Sequence, residues 1–213
     1  MGETLGPVYH ALYEEVVWLN AKWLEYRKLY GQSEPRVDFL NSMARFFFRV
    51  VQDVLWDDIL LHIARLTDPP KSVGKDNLML LRLPAVIPDA ALAADTQSMI
   101  DAAGARWSFA REWRNRRLAH RDLALALDAA ATPLTGVSRK HVERALDSVS
   151  AILNRVHRHY VKGEVAFEHF ISRDDADTLV YHLRVAKQAE ERQRDRFRRG
   201  TSTPEDLERP PEV

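Results

Sequence analysis

Apolar residues recur at helical spacing along almost the whole chain. Leu12, Val16, Leu19, Trp23, Tyr26 and Tyr30 step by four and three, which draws one stripe on a first helix that Gly31 can end. A second helix is predicted from just after Pro35 to about Leu66, with Leu40, Met43, Phe47, Val50, Val54, Ile59 and Ile63 facing inward. Uninterrupted, it would run roughly 45 Å and serve as the spine of a bundle. Thr67-Asp68-Pro69-Pro70 stops it. Irregular sequence follows to Pro88, with at most a short helix around Asn77–Leu83.

Asp89 can cap a third long helix that carries Leu92, Ile100, Trp107, Phe109 and Trp113. Ser138 can cap a fourth, with Val142, Leu146, Val149, Leu153, Val156 and Tyr160 inward, up to the connection at Lys162-Gly163. A last helix starts at Ser172, with Asp174 and Asp175 in its first turn, and runs through Leu179 and Leu183. From Gln188 it loses its apolar face, and residues 200–213 are polar and contain proline, the composition of a disordered tail. The pattern predicts an all-α, up-and-down bundle of four to six helices. Residues 1–187 form the bundle domain, and residues 188–213 a charged helix end and tail.

The composition fits that picture. At 213 residues, 46% hydrophobic and 29% charged, the chain can bury a real core in one ordinary domain. With no cysteine it has no disulfide framework, thiolate zinc site or cysteine nucleophile. No secretory signal and no membrane span is visible, so a cytoplasmic protein is expected.

Charge is where the sequence departs from a generic bundle. The formal net charge is zero, yet Arg106 to Arg121 holds six arginines against one glutamate. Such a local excess on a neutral chain points to a phosphate-facing site. His120 stands among these arginines and can move protons near neutral pH. RNA cleavage without metal needs a base for the 2′-hydroxyl, an acid for the leaving 5′-oxygen, and cations for the charge on phosphorus. One His120 per chain supplies one proton-transfer group, so a two-fold dimer is the natural way to assemble both. On an ideal helix Arg116 shares a face with His120, whereas Arg114 is about 120° away and joins it only if the helix loosens near Leu118-Ala119. Arg114, Arg116 and Arg117 are therefore rivals for the phosphate role. Asn115 can orient the histidine or hold a helix break.

Arg114-Asn115 followed by His120 resembles the motif of HEPN domains, an arginine and a histidine separated by four to six residues. HEPN domains are helical bundles that include many toxin and antiphage ribonucleases. The segments Trp56-Asp57-Asp58-Ile59, Ala64-Arg65-Leu66-Thr67-Asp68, Lys75-Asp76-Asn77-Leu78 and Trp113 to Asp122 are similar to the abortive-infection AbiU branch. The resemblance covers most of residues 5–185. It implies a homodimer whose two motifs meet in a cleft and cut RNA without metal or cofactor. Arg114, His120 and Asn115 would be the catalytic group. Arg111, Arg116, Arg117, Arg121 and Arg65 would be RNA-binding cations, and Asp122 a supporting group. An antitoxin or defence-system protein is an implied partner. Asp122 stands where some HEPN toxins carry a tyrosine modified by a nucleotidyltransferase antitoxin, so that mode of control is not implied. The alternative is a non-catalytic HEPN module that binds RNA or a partner protein.

Blander roles compete at each position. The arginines can be a solvated face, His120 a cation at a helix C-terminus, and Asp122 a cap for the next segment. Arg65 can reach the cleft or pair with Asp68. Asp58 and His62, four apart, have metal-ligand spacing but no third ligand in register, which favours core or surface pairing. His157 and His159 are expected at the surface. Trp18, Trp23, Trp56, Trp107 and Trp113 fit the core or a dimer seam. The basic stretch Arg192 to Arg199 reads as a solvated helix end.

Overall fold

In the computed structural model, residues 1–68, 71–72, 75–118, 127, 136–169 and 172–207 are described. The fold is all-α, with one minor exception, an antiparallel pair of two-residue strands, β1 (Lys71–Ser72) and β2 (Lys75–Asp76). Helix α1 spans Gly2–Tyr26 and runs into a π-helical turn, Arg27–Gly31. Helix α2 spans Glu34–Thr67. A 3-10 turn (Leu80–Arg82) leads into α3 (Leu83–Val86), then α4 (Ala90–Trp113) and a second π-helical turn (Arg114–Leu118). Helices α5 (Arg139–Val161) and α6 (Ala176–Arg199) follow, and a 3-10 turn (Pro204–Leu207) comes last.

Contacts group these elements into two compact units, Met1–Tyr26 with Val51–Phe170, and Arg27–Val50 with Ile171–Val213. In the first, α4 lies along α5, and α1 packs on α5 and α3. The core is built from Leu5, Leu12, Val16 and Leu19 of α1, Ile59, Leu60, Ile63 and Leu66 of α2, Leu92, Ile100 and Trp107 of α4, and Val142, Leu146, Val149, Leu153 and Val156 of α5. Each aliphatic side chain taken out of water contributes about 1.5–3 kcal/mol before its ordering entropy is set against it. Trp23, Tyr26 and Trp56 form an aromatic cluster with ring centroids 5.3–6.4 Å apart. The caps are local. Asp89 Oδ1 accepts from the Leu92 N–H (2.7 Å), and His141 Nδ1 accepts from the N–H of Ser138, the N-cap of α5 (3.2 Å).

In the second unit, Lys28 Nζ donates to Asp175 (2.6 Å), and Arg36 donates to both the Lys28 carbonyl and Asp177 (2.6 Å each). The Tyr30 hydroxyl donates to the Phe48 carbonyl (2.8 Å). Asp175, rather than Ser172, caps α6, accepting from the Thr178 N–H at 3.0 Å. Gly200 ends α6 at φ 66°, which glycine adopts without a Cβ clash.

Several expectations for α2 are corrected. Ala44 leaves helical geometry (φ −157°, ψ 72°), so the helix is broken rather than one straight spine. Leu40 and Phe48 are buried, while Phe47, Val50 and Val54, expected inward, are exposed together with Phe46. The exposed positions also lie off the buried face, since on an ideal helix Val50 and Val54 are about 180° and 140° from Ile59. Trp18 is 61% exposed because it lies off the stripe that Leu12, Val16 and Leu19 define, so it is not a core residue. Leu179 is exposed and its neighbour Val180 is buried instead.

Residues 200–207, expected to be disordered, fold back on α6. Buried Asp206 takes a two-pronged contact from Arg196, and its carbonyl accepts from Gln193. This contact holds the Asp206 carboxyl well below the usual carboxylate range. The end of the predicted tail, residues 208–213, lies outside the described residues. Among the described residues no helix is long and apolar enough to cross a membrane.

Candidate functional site

The arginine block sits where α4 gives way to the π-helical turn Arg114–Leu118. The ideal-helix geometry had asked for a loosening at this end of the helix, and a π turn widens the spiral by one residue per turn. Trp107, Phe109 and Ala110 anchor the last turns of α4 in the core, which leaves the arginines at its rim.

Arg114 is held on two sides. Its Nε and Nη2 both donate to Asn115 Oδ1, at 3.0 and 2.8 Å, and its Nη1 is ion-paired with Asp68 Oδ2. Arg111 meets the same carboxylate, its Nε 3.5 Å from Asp68 Oδ1, and its Nη2 donates to the Thr67 carbonyl at 2.8 Å. Thr67 is fully buried and turns its hydroxyl back onto the Ile63 carbonyl (2.8 Å), tying off the end of α2. The C-terminus of α2 and the C-terminal turn of α4 are thus joined by one carboxylate, one carbonyl and two guanidinium groups.

The other arginines separate. Arg116 pairs with Glu112 one turn back, at 3.4 Å. Arg117 lies over the Trp113 ring, 5.1 Å from its centroid, a cation–π arrangement. It also acts on Asp57 of α2, whose carboxyl burial pushes up while the Arg117 charge pulls it down. Arg65 does not join the group, nor does it pair with Asp68. Its guanidinium is 3.8 Å from Glu15 of α1. The helix ends at Thr67, so Asp68 turns out of the register that would set it beside Arg65. His120, Arg121 and Asp122 lie outside the described residues.

Two features beyond the sequence reading emerge. Asp68, taken in the sequence as part of a helix stop, is the group that brings Arg111 and Arg114 together. Its signal was an acidic residue at the negative end of a helix dipole, an unfavourable place for an anion unless cations meet it. The second feature surrounds His62, which is 1% exposed. Lys22 Nζ is 2.9 Å from His62 Nδ1 and ion-paired with Asp58, so Asp58 and His62 share a lysine ammonium. Glu15 Oε2 lies 2.7 Å from His62 Nε2, though out of line for a hydrogen bond. Burial first, then the Lys22 charge, pulls the His62 pKa down to about 4 against the opposing pull of Glu15. Asp58 and His62 are thus tied into pairing rather than metal binding, His62 in the core and Asp58 partly exposed. Among the described residues no group of three His, Asp or Glu side chains is arranged to hold a metal. His157 is half-buried rather than on the surface, because the Tyr9 hydroxyl reaches its Nδ1 at 3.2 Å.

A bundle of this kind, with an arginine-rich corner on the helix before His120, is matched by a family model, HEPN AbiU2, described as AbiU2, over residues 2–179. The chain belongs to the HEPN AbiU2 family. No curated protein and no solved structure matches it.

Proposed function

We propose that this protein is a metal-independent HEPN-type endoribonuclease of an antiphage defence or toxin–antitoxin system, acting in the cytoplasm as a homodimer. Two Arg-x5-His motifs, one from each copy, compose the site. The observation that carries the reading is the corner built on Asp68 at the loosened end of α4. There Arg114 and Asn115 are mutually bonded and Arg111 stands on the same carboxylate, in a chain of the AbiU2 family.

His120 acts as general acid or base, its role resting on spacing and family. Arg114 takes the phosphate oxygens as charge grows on them, and Asn115 holds the Arg114 guanidinium edge-on. Arg111, Arg116, Arg117 and Arg121 add positive potential along the RNA path. Arg65, ion-paired with Glu15, would contribute only at the margin of that path. An antitoxin or defence partner would act by covering this corner or by keeping the copies apart.

Purified protein incubated with total RNA in EDTA is expected to leave 2′,3′-cyclic phosphate ends. His120→Ala should lower the rate by about 10²–10⁴-fold and Arg114→Ala by about 10²–10³-fold. RNA binding that persists in both variants, with no cleavage by the unsubstituted chain, selects the non-catalytic HEPN module instead.

A further inference from the structure

Asp68 follows directly on the last residue of α2 and is mostly buried, with 15% of its side chain exposed. A carboxylate there faces the negative end of the helix dipole and gives up most of its water. Neither condition helps the helix. Among the described residues, both are offset by the two guanidinium groups that α4 and its π turn deliver three residues apart, Arg111 and Arg114. Capping the helix end needs one cation, and Arg111 already supplies it through the Thr67 carbonyl. The contact from Asp68 to Arg114 is additional to that task.

Its effect on Arg114 is specific. A guanidinium has five N–H bonds in one plane. Asn115 Oδ1 takes those of Nε and one of Nη2, and Nη1 is ion-paired with Asp68 Oδ2. The plane is therefore held from two edges, by Asn115 on one and by the Asp68 charge on the other. Arginine grips phosphate oxygens through this same planar set of N–H groups, so what fixes the plane fixes the direction of that grip. The Asp68 charge also opposes RNA, because it cancels part of the positive field near the phosphate.

We propose that Asp68 is a positioning residue for RNA cleavage, holding the Arg114 guanidinium in the orientation that meets the scissile phosphate while lowering ground-state attraction for RNA. The proposal rests on the ribonuclease reading above. It separates turnover from binding, since removing the charge frees Arg114 to rotate and at the same time strengthens the positive field.

The test is the Asp68→Asn variant, which keeps the side-chain shape, with Asp68→Glu as the companion that keeps the charge. In Asp68→Asn the cleavage kcat should fall by about 10–100-fold, the scale set by misplacing a reacting group by about 1 Å. The KM for a short RNA should stay level or fall. Asp68→Glu should give an intermediate kcat. Without RNA, nitrogen relaxation at the Arg114 Nε–H should show an ordered side chain in the unsubstituted protein and a mobile one in Asp68→Asn.

Cleavage by Asp68→Asn at the unsubstituted rate overturns the proposal, as does a rise in KM matching the fall in kcat. If Asp68→Asn fails to fold, Asp68→Glu decides. A folded Asp68→Glu protein that cleaves at the full rate reduces Asp68 to a helix-end contact and overturns the proposal. One with lowered kcat and unchanged KM supports it. Absence of cleavage by the unsubstituted chain sinks the ribonuclease reading. The relaxation measurement tells that result apart from a failure of positioning, because it reads Arg114 order with no RNA present.

Discussion

His62 shows how one residue type takes on different chemistry through its surroundings. Its spacing from Asp58 is that of a metal pair, but Lys22 places an ammonium between them and the ring is buried. The neutral ring is therefore the folded form, with a pKa of about 4 against 6.5 for an unperturbed histidine. The consequence for pH follows from the sign of that shift. Above about pH 6.5 the ring is neutral whether folded or unfolded, and its contribution is complete. As pH falls from 6.5 toward 4 the unfolded chain gains a proton that the folded one refuses, and stability drops. Urea unfolding at several pH values should show this fall. The slope should be shallower in His62→Gln, whose amide can still meet Lys22 and Glu15, and equal slopes would exclude His62 as the source.

Single positions in the arginine block follow the same logic. The sequence showed the excess of charge and the spacing of Arg114 to His120. It did not show that Arg111 and Arg114 share one carboxylate while Arg116 and Arg117 turn to Glu112 and Trp113.

Among the elements, α2 departs most from its predicted form. Its ends were legible, since Pro35 and Thr67-Asp68-Pro69-Pro70 are strong local signals. Its inward face was not, because apolar residues occur around more than one face of this helix: Phe47, Val50 and Val54 are exposed on the same side of Ala44 as the buried Ile59 and Ile63. Burial differs between near neighbours that on a helix face about 200° apart. Phe48 is 4% exposed and Phe46 is 83% exposed, although both are phenylalanines two positions apart. Phe48→Ala should cost about 3–5 kcal/mol of unfolding free energy, and Phe46→Ser within about 0.5 kcal/mol. Comparable losses in thermal or urea unfolding would mean that Phe48 does not face the core. The α1 and α5 stripes behaved as predicted, the first persisting through the π-helical turn Arg27–Gly31. Every member of the Leu12-to-Tyr30 stripe is buried, as is every inward position predicted on α5 except the partly exposed Tyr160.

For the molecule as a whole, the proposed function depends on assembly. A site that draws one histidine from each of two copies must lose activity when the copies separate. Specific cleavage activity should therefore fall on dilution below the dimer dissociation constant, in step with the mass measured by light scattering. Activity per chain that stays constant in a monomeric sample would rule out the composite site.

Periodicity, caps and stop signals by themselves determined the all-α class, the helix order and most of the core. These are local properties, set by neighbours within one or two turns. The sequence also marked Arg114, Asn115 and His120 as the residues to watch, through charge density and a short motif. Only the tertiary structure decided that Asp68 from the end of α2 is the partner of Arg111 and Arg114, that Arg65 goes to Glu15, and that Lys22 sits between Asp58 and His62. Each of these contacts joins helices more than thirty residues apart in the chain. No spacing rule reaches that far, because which charges meet depends on how the packed helices are rotated about their own axes.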